Sequence, residues 1–305
     1  MSPERITSFQ NPKLKHLLAL QEKSSLRRET GLFVVEGRRE VERCIASGFV
    51  VDTLFVCPEL VPAGGDASLR GIAPEGRNTR GSVAGGPSRR DGGVSPEGEL
   101  LKGQCRQPGV PGGKVIELSR VVYEKVAYRG GTEGVIAEVR ARNLRLEDLQ
   151  LPENPLVVVM ESVEKPGNLG AVLRSADAAG ADAVLVCDPL TDLYNPNLIR
   201  ASLGAVFSCP VVCCTTAEAI AFLKGKGIRI LTAQLQDSKP YYGTDMTVGT
   251  ALVMGSEALG LGDEWRKAAD AHILIPMRGI VDSLNVSVSA AILLYEAVRQ
   301  RENSI

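Results

Sequence analysis

From Leu156 onward, the chain alternates short apolar, β-branched runs with segments of helical periodicity. The strand-like runs are residues 156–160, 183–187, 211–214, 228–231, 251–254 and 273–275, and the helical stretches are near 169–179, 197–202, 217–224, 265–269 and 286–301. Continuous apolar strands that alternate with helices are typical of a parallel sheet covered on both faces. The pattern predicts an α/β domain over 154–305, with ligands bound beyond the carboxyl ends of its strands.

The first 145 residues also alternate helices and strands, but their runs are shorter. Strands are predicted at 32–35, 54–57, 115–118 and 134–139, and helices after Asn11-Pro12, over 37–48 and over 119–127. Residues 144–155 are polar and contain proline, which is typical of a linker. The sequence therefore predicts a small α/β domain over 1–145 that precedes the larger one.

Residues 62–113 differ from the rest of the chain in composition. They contain 14 glycines and 6 prolines in 52 residues, and no aromatic residue. Such a segment buries too little apolar surface to offset the entropy lost on ordering. We interpret it as a long loop inserted between two strands of the first domain. Its six arginines could contact RNA, although a passive, solvated loop explains the same composition.

Composition disfavours several classes of protein. The chain has seven cysteines without paired short spacings and only two histidines, so neither a disulfide scaffold nor a histidine-rich metal site is expected. No apolar run approaches the ~20 residues of a membrane span. Residues 1–15 lack the apolar stretch of a secretory signal. We expect a cytoplasmic protein with no metal and no membrane partner.

Charge is distributed unevenly along the chain. The net charge is −1, but residues 1–150 carry +4 and residues 151–305 carry −5. A basic half suggests an anionic partner for that half. Ordinary surface variation explains the same asymmetry equally well, so charge alone does not decide.

Three loops that follow predicted strands carry residues suited to chemistry. They are residues 164–176 with Asn168 and Arg174, residues 255–262 with Gly255, Ser256 and Glu257, and residues 275–291 with Ser283 and Asn285. Taken singly, the asparagines and serines also fit plain helix caps, and the arginine fits a surface cation. Each loop alone is therefore a weak signal.

The second loop also rules against two common enzyme classes. The spacing of Gly255 and Gly260 is that of a phosphate-binding P-loop, but Leu261 and Gly262 stand where that motif requires Lys and Ser or Thr. A nucleotide triphosphate hydrolase is therefore disfavoured. Ser256 lacks the Gly-x-Ser-x-Gly context of a hydrolase nucleophile, so a hydrolase that uses this serine is disfavoured as well.

Together and in this order, the three loops resemble the three motifs of the SpoU (TrmH-like) family of RNA ribose methyltransferases, within the SPOUT class. The matching residues are Asn168-Leu169-Gly170 with Arg174, Gly255-Ser256-Glu257 with Gly260, and Ile275-Pro276-Met277 with Ser283-Leu284-Asn285-Val286-Ser287. The first domain resembles the family's substrate-binding module, which is similar to a small ribosomal RNA-binding protein. That likeness is carried by Ile6-Thr7-Ser8, Asn11-Pro12-Lys13, Phe33-Val34-Val35-Glu36-Gly37 and Gly134-Val135-Ile136-Ala137.

The resemblance implies a fold, a cofactor and an assembly. The family fold is a parallel α/β domain with a C-terminal trefoil knot, a feature so rare that periodicity would not predict it. Its knotted loops bind S-adenosylmethionine, and by motif match Gly255, Ile275 and Leu284 would line that site. Family members are homodimers whose active sites lie beside an interface built partly from the closing helix.

The resemblance also implies transfer of a methyl group to a ribose 2′-hydroxyl. Arg174 matches the family's catalytic arginine, and we interpret it as a cation that binds a phosphate and stabilises the forming alkoxide. Proton transfer to the arginine itself is the alternative. Asn168 would orient the arginine or the ribose, and Glu257 would fix Asn168 or the cofactor loop. Ser283 and Asn285 would hydrogen-bond the substrate or the polar ends of the donor.

The resemblance leaves the RNA substrate open. Ribosomal RNA of the 23S type is favoured, because the first domain resembles members that act on it, and transfer RNA is the alternative. A relative that binds RNA without catalysis is the competing class. Such a protein would not need Asn168, Arg174, Glu257 and Asn285 together, and all four are present.

Overall fold

The protein is described here from a computed structural model, which covers residues 3–61, 113–128, 133–256 and 259–303. The predicted insertion lies outside these residues except for Gly113. The described chain forms two sheets, one in each half of the sequence. No helix in these ranges is both long and apolar enough to cross a membrane.

The first sheet has five strands in the order β1-β4-β3-β5-β2. The strands are β1 (Glu4–Ile6), β2 (Leu32–Glu36), β3 (Val51–Val56), β4 (Lys114–Leu118) and β5 (Val135–Arg140), and the helices are α1 (Pro12–Glu22), α2 (Ser24–Thr30), α3 (Arg38–Ala46) and α4 (Arg120–Val126). The central strand β3 runs parallel to β4 and antiparallel to β5. The short elements β1 and α2 have too few residues to show a periodicity and were not predicted.

The second sheet has seven strands, all paired in parallel, in the order β10-β12-β9-β11-β6-β7-β8. The strands are β6 (Leu156–Glu161), β7 (Ala183–Cys187), β8 (Val211–Cys214), β9 (Arg229–Ala233), β10 (Lys239–Pro240), β11 (Thr250–Met254) and β12 (Ala271–Leu274). The helices are α5 (Pro166–Ala178), α6 (Pro196–Ala201), α7 (Ala205–Ser208), α8 (Thr216–Gly225), α9 (Asp263–Ala268) and α10 (Val286–Glu302). The predicted parallel α/β fold is confirmed.

Strand β6 shows why this sheet is apolar throughout. Val158 and Met160 pack with the residues of α5 and α10 on one face, while Val157 and Val159 pack with α8 and α9 on the other. Because successive side chains of a strand point to opposite faces, covering both faces requires an unbroken apolar run.

The two sheets are joined by an aromatic and ionic contact. Phe33 of β2 stacks on Tyr194 with ring centroids 4.1 Å apart. Beside them, Arg27 is buried and its Nε lies 2.5 Å from Oδ2 of Asp192. Burial raises the pKa of Tyr194 to about 12, so its hydroxyl stays protonated and donates to the backbone oxygen of Arg142. These contacts hold the first sheet against the loop between β7 and α6.

Helix α5 approaches α6 closely at Gly170. A Cβ built there would lie 2.6 Å from Cβ of Ala201 and 2.6 Å from the backbone oxygen of Leu198. Real side chains do not approach this closely, so glycine is what permits the contact. The packing fixes the position of α5, which carries both Asn168 and Arg174.

We expect Gly170→Ala to destabilise the protein. Overpacking costs about 1–3 kcal/mol, and contacts as short as 2.6 Å, one of them to a backbone oxygen, place this substitution in the upper part of that range. That cost exceeds the roughly 1 kcal/mol gained in helix propensity, so the melting temperature should fall by a few degrees. Gly167→Ala is the matched control, because Gly167 lies in the same helix with nothing within 4 Å of its built Cβ. Thermal unfolding of both variants tests this, and a Gly170→Ala melting temperature at or above wild type would contradict the packing argument.

Candidate functional site

A cavity of about 510 Å³ lies at the carboxyl ends of three neighbouring strands, β9, β11 and β12. Its walls come from the loops that follow those strands, at 234–236, 255–256, 259–261 and 275–286, and from the start of α10. Parallel strands bring their carboxyl ends to one edge, so loops remote in sequence meet there. Ligand cavities are typically about 300–1,000 Å³, and this one is within that range.

The cavity contains all three residues predicted to bind the cofactor. Gly255, Ile275 and Leu284 line it, together with the predicted site residues Ser283 and Asn285. The structure therefore brings the second and third motifs into one site.

The loop after β11 folds back on itself at the cavity wall. Ser256 and Gly260 exchange backbone hydrogen bonds of 3.2 and 3.0 Å, and Ser256 Oγ accepts from the backbone N–H of Leu259. A Cβ at Gly255 would lie only 2.2 Å from the carbonyl carbon and oxygen of Gly260. Gly255 is therefore required by the close approach of this loop to its own start.

A carboxylate that the sequence analysis missed holds the far end of this loop. Glu161, the last residue of β6, accepts from the backbone N–H of Gly262 at 2.8 Å and from Thr216 Oγ1 at 3.3 Å. The sequence signal that could have identified Glu161 is a polar residue at the carboxyl end of an otherwise apolar strand. Glu161 thus ties the cavity loop to the neighbouring strand.

Two further polar residues in the cavity were also missed. Gln234 Oε1 and Arg266 Nε are buried, and within the described ranges neither atom has a hydrogen-bond partner. Both residues line the cavity, whose other walls include the apolar side chains of Met254, Ile275 and Leu284. A ligand with polar ends and a flat apolar part would satisfy both kinds of wall.

Asn168 and Asn285 connect the first and third motifs. Asn285 Nδ2 donates to Asn168 Oδ1 at 3.2 Å, while Asn285 Oδ1 accepts from the backbone N–H of Ser287 and so caps α10. Asn168 is the third residue of α5, not its cap, because Lys165 holds the cap position. It lines a smaller cavity of about 190 Å³ that also contacts Gly255. Asn285 therefore both caps α10 and connects the third motif to the first.

Arg174 lies elsewhere. It is exposed and lines a separate cleft of about 580 Å³, between α5, α6 and the first sheet. Six residues along a helix correspond to about 9 Å of rise and about 240° of rotation, so Asn168 and Arg174 face different directions. Within one chain, the structure does not bring Arg174 to the cavity at the carboxyl ends.

The remaining predicted residues are placed as follows. Ser283 is exposed at the cavity edge, and its Oγ donates to Oδ1 of Asp282 at 3.1 Å. Glu257 lies outside the described residues. In the part of the chain that the structure describes, no group of three His, Cys, Asp or Glu residues has the arrangement of a metal site.

Comparisons with known proteins agree with this geometry. Residues 155–295 match the model of the SpoU rRNA Methylase family, and residues 11–78 match an MRM3-like substrate binding domain. The 23S rRNA (guanosine-2′-O-)-methyltransferase RlmB of Vibrio cholerae is 37% identical over 196 residues, which are 62% of this chain and 79% of that protein.

Solved structures show the same likeness over nearly the full length. A crystal structure of an RNA 2′-O ribose methyltransferase is 34% identical with a TM-score of 0.74, covering 98% of this chain and 99% of that one. An AdoMet-bound rRNA methyltransferase from Sinorhizobium meliloti is 26% identical with a TM-score of 0.79, covering 98% of each chain. The likeness therefore extends over both sheets.

Proposed function

The chain belongs to the SpoU rRNA Methylase family, and we propose that it is an RNA ribose 2′-O-methyltransferase acting on 23S-type ribosomal RNA. The observation that carries this proposal is the meeting of the second and third motifs in one cavity, with Asn285 joined to Asn168 of the first motif. The name of the Vibrio cholerae relative supports ribosomal RNA as the substrate.

S-adenosylmethionine fits the cavity as the methyl donor. The apolar walls at Ile275 and Leu284 suit the faces of an adenine, and the unpartnered atoms of Gln234 and Arg266 suit polar groups. Gly255 lets the loop after β11 fold back on its own start, and this folded loop forms one wall of the donor cavity. When bound, this cofactor supplies a methyl group already activated by a sulfonium. An AdoMet-bound structure among the similar proteins supports this assignment.

Catalysis by this chain then consists mainly of positioning the ribose and handling its charge. Holding the 2′-oxygen in line with the methyl group can lower the barrier by several kcal/mol. Asn168 and Asn285, joined by their hydrogen bond, orient the ribose, and Ser283 contributes a hydroxyl at the cavity edge. Glu257 is proposed to support Asn168 or the cofactor loop.

Arg174 stabilises the alkoxide that forms when the 2′-hydroxyl loses its proton. We assign Arg174 the role of a cation that faces the forming alkoxide, because a guanidinium carries a delocalised positive charge. Its forked N–H groups suit a phosphate beside the reacting ribose.

We further propose that the protein is a homodimer. Helix α10 presents Val288, Ile292 and Tyr295 along one stripe, and Val288 and Tyr295 are 46% and 51% exposed. An exposed apolar stripe next to a site favours an interaction surface. The proposed role of Arg174 requires that it reach the donor of a partner protomer, because within one chain Arg174 lines a different cleft from the donor cavity.

Sedimentation velocity tests the dimer. At micromolar concentration we expect a species of twice the 32.5 kDa chain mass, because the α10 stripe is buried between protomers. Val288→Glu combined with Tyr295→Glu should convert it to monomer. Val121→Glu is the control, since Val121 is 66% exposed on α4 of the first sheet. A wild-type protein that sediments only at the mass of one chain would exclude the dimer.

Three other assignments complete the proposal. Residues 1–145 bind the RNA and 154–305 carry catalysis, which the match of 11–78 to a substrate-binding model supports. The segments around β11 and β12 form a trefoil knot, as in the family, and the insertion of β12 between β9 and β10 is compatible with such threading. A bacterial ribosomal RNA substrate implies a cytoplasmic location.

A methylation assay tests the function. Wild-type protein is incubated with labelled S-adenosylmethionine and separately with transcribed 23S ribosomal RNA or total transfer RNA, and 2′-O-methylated positions are mapped. We expect label in one nucleotide of the 23S RNA. Label found only in transfer RNA would show that transfer RNA, and not 23S ribosomal RNA, is the substrate. Donor binding without methylation of either RNA would favour a non-catalytic relative.

A further inference from the structure

The cleft that contains Arg174 has two chemically different walls. Helices α5 and α6 contribute Arg174 and Arg200 to one wall. The first domain contributes the carboxylates of Glu36, Glu40 and Glu133 to the other. The cleft has a volume of about 580 Å³.

The two arginines of this cleft come from two helices, α5 and α6, that pack directly against each other. Within the described ranges, neither Arg174 nor Arg200 has a hydrogen-bond or ion-pair partner. The close packing of α5 on α6 at Gly170 fixes the two helices that carry them. Two like charges on one wall repel each other, and an anion between them removes that repulsion. A forked guanidinium pair suits the oxygens of a phosphate.

The acidic wall is held by its own domain rather than by the arginines. Glu36 Oε2 accepts from the backbone N–H of Tyr128 at 2.7 Å, and Glu133 Oε2 accepts from the backbone N–H of Arg38 at 2.9 Å. A free phosphate ion would face these carboxylates unfavourably. A nucleotide of RNA has both a phosphate for the arginines and N–H or hydroxyl donors for the carboxylates, so it fits both walls.

We propose that this cleft holds the RNA strand beside the target nucleotide, with one phosphate bound jointly by Arg174 and Arg200. The inference rests on the proposed function, because it takes RNA as the substrate. It assigns Arg200 as an RNA-binding residue that does not touch the reacting atoms. Arg200 therefore contributes to RNA affinity and not to the chemical step.

The test measures Arg200→Ala in the full chain. With transcribed 23S ribosomal RNA, we expect KM to rise about tenfold while kcat stays within about twofold, since one charge-assisted contact is lost. The slope of log affinity against log salt should become shallower by about 0.7–0.9, the value of one phosphate contact. Arg200→Lys should keep the wild-type slope, because it keeps the charge.

The control and the stability measurement separate RNA binding from a structural role. Arg229→Ala removes the same charge at the amino end of β9, opposite the site, and should leave the salt slope unchanged. Because Arg200 has no partner in the described protein, the melting temperature of Arg200→Ala should stay within about 2 °C of wild type.

Two results would overturn the inference. One is an Arg200→Ala variant with wild-type KM and salt slope. The other is a lowered melting temperature with unchanged RNA affinity, which would identify the cleft as a contact between domains. The salt slope needs no methyl transfer, so it distinguishes a failure of the RNA-binding inference from a failure of the proposed catalysis.

Discussion

Replacing Arg174 by alanine is expected to slow single-turnover methylation at least about 100-fold, because it removes a cation from a developing oxyanion. Donor affinity should change less than about twofold, since the variant acts on the chemical step. The structure supports an effect on the chemical step without an effect on donor binding. Arg174 lines the interdomain cleft, whereas Gly255, Ile275 and Leu284 line the donor cavity. The measurement combines rapid-quench methylation of 23S ribosomal RNA with a separate donor titration.

A lysine at this position should not restore activity. Arg174→Lys keeps the charge, but an ammonium lacks the planar, forked arrangement of donors. Arg145→Ala is the control, because Arg145 is exposed in the segment between the sheets and pairs only with nearby acids among the described residues. If Arg174→Ala turned over RNA at nearly the wild-type rate, the residue would be an ordinary surface cation.

The fold was predictable from periodicity, and its details were not. Apolar runs identified β6 to β9, β11 and β12 because a strand buried on both faces cannot include polar positions without cost. The two-residue β10 is too short to show any period. The lateral order of the strands depends on how the chain crosses the sheet, and local sequence does not record it.

The site was predictable where strand ends converge. Gly255 follows β11 and Ile275 follows β12, the two parallel strands on either side of β9, and Leu284 lies in the segment that leads from β12 to the closing helix. The carboxyl ends of these strands therefore bring the three residues together. Arg174 was grouped with them by motif alone, and helix geometry turns it towards another cleft. Gln234 was missed, because a single glutamine after a strand gives no signal until the burial of its oxygen is known.

Gly255→Ala is expected to weaken donor binding about 100-fold or more. The added Cβ would lie 2.2 Å from the carbonyl of Gly260 and 2.5 Å from the backbone nitrogen of Leu261, so the loop must move. The neighbouring atoms are backbone, which cannot rotate away as a flexible side chain does. The loop can avoid this contact only by moving away from the position that forms the cavity wall, and restoring that position costs about 3 kcal/mol. If donor binding requires the original position of the wall, this cost corresponds to a loss of roughly 100-fold in donor affinity.

Gly279→Ala is the matched control for this prediction. Gly279 lies in the loop that leads to α10, and nothing lies within 4 Å of its built Cβ, so donor affinity should stay within about twofold of wild type. Calorimetric titration with S-adenosylmethionine measures both variants, and thermal unfolding without donor shows whether Gly255→Ala remains folded. A folded Gly255→Ala variant with wild-type donor affinity would mean that the loop after β11 does not form the donor site. Since that loop and the segment from Ile275 to Leu284 share one cavity, this result would remove both from the proposed site together.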